Sequence, residues 1–213
     1  MAAMDCRGQG GRSEDSGRIT GTTFKGHIIR GVELGPQKLL FRNIMLDAAQ
    51  LAGIVMGFEE VDPARVGVLG SSQGGGLALA CAALEPGIAR AAVQHPFLCD
   101  YQRVWDMDLT KDAFEEISYW FRMFDPLHAG EKDFFHSLGY IDVKNMVHRI
   151  KAHVLMATGL MDQIVPPSTQ FAAYNRITSK KEMVIYPDFG HEPYPGWMDR
   201  AFTFLTEHNN GLI

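Results

Sequence analysis

The pentapeptide Gly70-Ser71-Ser72-Gln73-Gly74 constrains this chain more than any other stretch. It has the form Gly-x-Ser-x-Gly, and its two flanks differ in kind. Arg65-Val66-Gly67-Val68-Leu69 is short and β-prone, whereas Gly75 to Leu84 is apolar on every side and reads as a buried helix. A serine on a sharp turn between a strand and a helix stands clear of the backbone, in the geometry that suits a nucleophile. Glycine at each end lets the chain turn tightly without a Cβ clash. The alternative is a glycine-rich turn that merely joins strand to helix. Ser71 is the rival hydroxyl, but the register of the motif selects Ser72.

The rest of the chain alternates between the two periodicities. Leu40, Ile44, Ala48, Leu51 and Val55 recur at three- and four-residue steps and predict an amphipathic helix over 39–55. Short strands are predicted at 65–69, 91–94, 153–158 and 182–186. A helix is expected from Pro166-Pro167 to about Ile177, since proline suits the first helical position. A last amphipathic helix is marked by Trp197, Ala201, Phe204, Leu205 and His208. Strands alternating with helices predict an α/β fold, a mostly parallel sheet with helices on both faces. Residues 101–150 carry Trp105, Phe114, Trp120, Phe121, Phe124, Phe134 and Phe135 among many charges and predict short helices forming a small cap over a pocket. The whole of 1–213 is expected to be a single domain.

Composition excludes some functions. Twenty basic and 25 acidic residues are interspersed, with a net charge of −5. That is no footprint for nucleic acid, and no apolar run approaches the roughly 18 residues of a membrane span. No signal peptide is visible. Cys6, Cys81 and Cys99 are odd in number and widely spaced. They read as small buried thiols rather than as disulfides or metal ligands. Residues 1–37 read as an irregular excursion. Within them Gly8-Gln9-Gly10-Gly11 lacks the Lys-Ser/Thr that a phosphate loop needs.

A serine hydroxyl needs a base, and the base needs an orienting carboxylate. In a parallel α/β sheet such groups gather at the carboxyl ends of strands. Asp162 leaves the third strand in a Gly-containing loop, and His191 leaves the fourth in another. The order Ser72, Asp162, His191 is that of α/β-hydrolases. Asp162 has a second reading as a cap of the following helix, and Asp188 is a rival acid. His191-Glu192 is no zinc helix, because no His stands four residues on and two prolines follow. His27, His95, His128, His136, His148, His153 and His208 read as surface or packing residues, and Asp106 and Asp108 as solvated loop charges.

With these residues in place, the chain resembles the acetyl xylan esterase / cephalosporin-C deacetylase family of α/β-hydrolases, carbohydrate esterase family seven. The matching stretches include Met4-Asp5-Cys6-Arg7-Gly8-Gln9-Gly10, Gly70-Ser71-Ser72-Gln73-Gly74-Gly75-Gly76 and Pro96-Phe97-Leu98-Cys99. They continue through Gly159-Leu160-Met161-Asp162, Pro166-Pro167-Ser168-Thr169, Phe171-Ala172-Ala173-Tyr174-Asn175 and His191-Glu192.

The resemblance implies Ser72 as nucleophile, Asp162 as orienting acid and His191 as base, with Pro96 and Phe97 near the substrate. It implies O-acetyl xylo-oligosaccharides and the acetyl of cephalosporin C as substrates, and no metal or organic cofactor. It also implies a cytoplasmic homo-oligomer, a disc-like hexamer. Neighbouring hydrolase types, dienelactone hydrolase or acyl-peptide hydrolase, are the other enzyme readings. A non-catalytic hydrolase-like subunit is the reading outside enzymes.

Family members carry a further segment before the Asp-x-Arg-Gly-Gln stretch, which here starts at Asp5. The N-terminal strands are therefore expected to be missing. One oxyanion donor, the backbone N–H of Gln73, is expected in this chain, and the other on that segment. Losing such a donor costs on the order of a hundredfold in rate. A strand expected at 4–7 would lack its partners, and the strand at 65–69 would present an open edge.

Overall fold

The computed structural model describes residues 1–15 and 27–207. His208 lies outside them. Four strands form one parallel sheet in the order β1 (Gly67–Ser71), β2 (Arg90–Gln94), β3 (His153–Gly159) and β4 (Lys181–Tyr186). Register brings the carboxyl ends together: Ser71 pairs with Gln94, Gln94 with Ala157, and Gly159 with Tyr186.

Alternation along the central strands sends side chains to two cores. Ala91, Val93, Val154 and Met156 join one buried cluster, while Ala92, Leu155 and Ala157 join the other. The first core is roofed by α1 (Leu40–Met56) and α2 (Gln73–Leu84). Helix α2 is buried continuously from Gly75 to Ala83 because it lies between the sheet and α1, and it has no polar face to show. Helix α1 buries Leu40, Phe41, Ile44, Met45 and Ala52, so its firmest contact is over its first half. Ala48, Leu51 and Val55, of the predicted stripe, are half-buried.

The aromatic segment forms α3 (Tyr101–Asp106), α4 (Glu115–Phe124) and α5 (Glu131–Leu138). Phe114, Phe121 and Phe134 are buried in the first core. Helix α6 (Pro167–Arg176) adds Ala173 to the same side. The opposite face is covered by α7 (Trp197–Thr206), through Trp197, Ala201 and Phe204. Helices therefore lie on both faces, as the alternation of periodicities predicts.

Most element ends fall within a residue of expectation, and three readings change by more. The first strand starts at Gly67 and not at Arg65, because Pro63–Arg65 form a 3-10 turn whose cap, Asp62, accepts the Ala64 N–H at 3.0 Å. Helix α2 begins at Gln73, directly after the serine. The third correction concerns residues 4–7, which are not a strand. A strand exists only where a neighbour completes its ladder, and none of the described strands lies beside them. They are held by side chains instead. Arg7 grips Asp47 of α1 through two bonds of 2.5 and 2.6 Å. Strand β1 lies at the sheet edge with Leu69 44% exposed, whereas Ala92 and Val93 of β2 are fully covered. The expected open edge is present.

Candidate active site

Ser72 stands between β1 and α2 with φ 53° and ψ −119°. This is a left-handed, strained conformation for a side chain with a Cβ, of the kind kept only where the surroundings enforce it. Here the enforcement is visible. The Ser72 N–H donates to the Gln94 carbonyl at 3.0 Å, and its own carbonyl accepts from Gly76 at 3.0 Å and Phe97 at 2.9 Å. Glycine is required at Gly70 and Gly76, whereas a Cβ on Gly74, the second glycine of the motif, would meet nothing within 4 Å. A Cβ on Gly70 would lie 2.0 Å from the Gly74 carbonyl oxygen, and one on Gly76 would lie 2.2 Å from that of Phe97. Gly76→Ala is expected to destabilise the fold by about 3 kcal/mol or more, lowering the melting temperature by roughly 10 °C. A thermal melt showing less than a few degrees of loss would contradict the close approach.

The three expected groups converge. His191 Nε2 lies 2.9 Å from Ser72 Oγ, and His191 Nδ1 lies 2.8 Å from Asp162 Oδ2. Asp162 is 4% exposed, and each of its carboxylate oxygens accepts two bonds. Oδ1 takes the N–H groups of Ile164 (3.0 Å) and Val165 (2.8 Å), while Oδ2 takes Gln170 Nε2 (3.2 Å) as well as His191. Asp162 does not cap α6, whose N-cap is Pro166 with no side-chain cap bond; its Oδ1 closes the turn before that helix, while its Oδ2 meets His191. Asp188 is exposed, and the His191 nitrogen it would serve is taken by Asp162. Asp106 and Asp108 are likewise exposed. Glu192 pins the His191 loop. Its carboxylate accepts the Gly190 N–H at 3.0 Å, and its carbonyl accepts Gln94 Nε2 at 2.8 Å.

Gln73 opens α2, so its N–H is among the first four of the helix, which have no intrahelical acceptor. It stands beside Ser72 at the positive end of the helix dipole. The Gln73 side chain forms a reciprocal amide pair with Gln9, at 2.7 and 3.1 Å. That pair explains the glycine-rich excursion: with Gly8 at φ 67° and Gly10 at φ 87°, the loop turns back so that Gln9 reaches the residue after the serine. Pro96 and Phe97 lie beside the turn, in a buried segment. The Phe97 ring packs edge-on against Phe114 with centroids 4.9 Å apart, so what it offers the site is its backbone.

Two groups near the site escaped the sequence reading. His95 is 4% exposed and its ring lies 4.1 Å from that of His191. Tyr194, three residues after His191, is hydrogen-bonded to His95 Nδ1 at 3.1 Å. The signal was available for His95, which sits at a strand exit between the strands carrying Ser72 and Asp162. Burial, reinforced by His191, pushes its pKa down to about 4. His95, Asp162 and His191 also place three ligand atoms within 4.8 Å of one another. Their polar atoms already serve Ser71, Tyr194, Ser72 and one another, so a metal ion would have to displace that network. All three cysteines are free thiols, and burial raises the pKa of each. No helix among the described residues is long and apolar enough to cross a membrane.

The family profile for acetyl xylan esterase (AXE1) matches residues 1–208. The chain belongs to the acetyl xylan esterase family. Acetyl xylan esterase 1 from Thermoanaerobacterium sp. JW/SL YS485 is 60% identical to it, with a TM-score of 0.90 over 94% of this chain and 63% of that one. Acetyl xylan esterase from Paenibacillus sp. R4 is 39% identical, with a TM-score of 0.87 and the same coverage. The acetyl esterase Axe7A of Xylanibacter ruminicola is 33% identical over 126 residues, which are 59% of this chain and 27% of that protein. The chain thus spans just under two thirds of the two esterase structures, and its fold is that of an α/β-hydrolase.

Proposed function

We propose that the chain carries the nucleophile, acid and base of a serine esterase that removes acetyl groups from acetylated xylo-oligosaccharides and small esters such as cephalosporin C. The observation that carries this reading is the continuous relay from Asp162 through His191 to Ser72, with contacts of 2.8 and 2.9 Å. His191 takes the proton from Ser72 Oγ as that oxygen attacks the acetyl carbonyl. Asp162 holds the ring with its Nδ1–H toward the carboxylate and stabilises the imidazolium. The Gln73 N–H donates to the oxygen that becomes negative. The alcohol leaves with the proton from His191, an acetyl-serine remains, and water releases acetate by the same path in reverse. By the family resemblance we read the protein as a cytoplasmic homo-oligomer.

A fluorophosphonate probe and p-nitrophenyl esters test the reading together. Covalent labelling at Ser72, located by peptide mapping, is expected, with faster hydrolysis of the acetyl than of the butyryl ester. Acetate release from acetylated xylo-oligosaccharide addresses the natural substrate class. Folded protein that neither labels nor hydrolyses would indicate a non-catalytic subunit.

A further inference from the structure

Outside the Ser72, Asp162 and His191 set, one chain of polar groups reaches the same site from behind. His95 Nε2 lies 2.8 Å from Ser71 Oγ, and His95 Nδ1 lies 3.1 Å from the Tyr194 hydroxyl. That hydroxyl donates to the Gly190 carbonyl at 3.3 Å. A phenol has one proton to give. With that proton on Gly190, His95 must donate from Nδ1 and accept the Ser71 proton at Nε2. Donation therefore runs from Ser71 to His95, from His95 to Tyr194, and from Tyr194 to Gly190, the residue before His191. The Tyr194 ring is held independently, stacked on Tyr186 with centroids 4.5 Å apart.

We propose that His95 and Tyr194 are positioning residues for His191, a hydrogen-bonded strut from the end of β1 to the base-bearing loop that also keeps the tilted His95 ring packed against that of His191. The proposal rests on the reading of Ser72, Asp162 and His191 as a catalytic triad. Its physical basis is the geometry of the loop after β4. Asp162 fixes one edge of the His191 ring, but the backbone that carries the ring lies in irregular structure. The strut fixes that backbone at Gly190, and the His95 ring packs against that of His191 with centroids 4.1 Å apart.

The charge state of His95 matters for the same reason. His191 becomes positive when Ser72 attacks, and a second cation 4.1 Å away would oppose it. The groups facing His95 are Ser71 from β1, Asp162 from the loop after β3, and His191 and Tyr194 from the loop after β4. The one acid among them already serves His191. Burial and His191 hold the His95 pKa near 4 against the opposing pull of Asp162. His95 is thus neutral at neutral and mildly acidic pH.

The test is kinetic. Tyr194→Phe removes one oxygen and keeps the stacked ring, and His95→Phe removes both side-chain hydrogen bonds of His95. Each is expected to lower kcat for p-nitrophenyl acetate by roughly tenfold to a hundredfold, the scale of a misplaced catalytic group. KM is expected to be unchanged, and fluorophosphonate labelling of Ser72 to slow in parallel. His95→Gln, which can still donate and accept, is expected to recover part of the loss. If both Phe variants keep kcat within twofold of the parent while Ser72→Ala is inactive, the strut is wrong and the triad stands. If Ser72→Ala still turns over the ester, the triad reading fails and the strut with it. Should His95→Phe fail to fold, Tyr194→Phe alone decides.

Discussion

Ser72→Ala is expected to lower kcat for p-nitrophenyl acetate by at least about 10⁴-fold and to abolish fluorophosphonate labelling, with little change in stability. The size follows from what remains. Without Oγ, no acetyl-serine forms, and His191 can at best activate water from a position arranged for a serine. Residual rate would come from the Gln73 N–H and from substrate binding alone. Stability is spared because the turn is held by backbone bonds to Gln94, Gly76 and Phe97, none of which involves Oγ. Alanine must still adopt φ 53°, as serine does, so that strain is common to both. A variant that retained more than a hundredth of the parent rate would show that the nucleophile is another group, with the exposed Ser71 the adjacent hydroxyl.

The second large effect is Asp162→Asn, for which kcat is expected to fall by about 10⁴-fold. The hydrogen-bond pattern dictates how the amide must sit. Oδ1 accepts two backbone N–H groups, from Ile164 and Val165, at 3.0 and 2.8 Å. An asparagine keeps its carbonyl there, because turning the amide round would set donors against donors in a buried turn. Its nitrogen then faces His191 Nδ1 and Gln170 Nε2. To accept from that nitrogen, His191 must carry its proton on Nε2, the atom that has to receive the serine proton. The ring would be well placed and in the wrong tautomer. Kinetics should show the loss in kcat with KM nearly unchanged, and ¹⁵N spectra of histidine should show the tautomer reversed. A loss below tenfold would mean that Asp162 serves only to close its turn. Gln170 would share in the effect, since it also bonds Oδ2 and is fully buried.

Much of this site was legible because its signals are local. Ser72 is announced by its glycines, of which Gly70 is required by the tight turn itself. Asp162 and His191 are announced by place, each in a Gly-containing loop where a strand ends. His95 satisfies that rule of place equally well, between Gln94 and Pro96. The sequence alone reads it as a surface or packing residue, because no motif names it. Its partners are Ser71 and Tyr194, 24 and 99 positions away, and no periodicity reaches so far. Gln9 was hidden in the same way. A glycine-rich excursion without a phosphate signature carries no sign that its glutamine closes on Gln73, 64 residues later.

The amino-acid sequence by itself determined the elements, their order and the identity of the three convergent groups. Helical and strand periods, turn glycines and helix-starting prolines act over a few residues and need no partner. Only the tertiary structure decided what depends on contact between distant segments. It decided that Asp162 orients His191 with one oxygen while closing a turn with the other, and that His95 lies against the ring of His191. It also decided that residues 4–7 form no strand although their sequence permits one. A strand is completed by its neighbour's hydrogen bonds, and whether a neighbour is there is a property of the folded sheet.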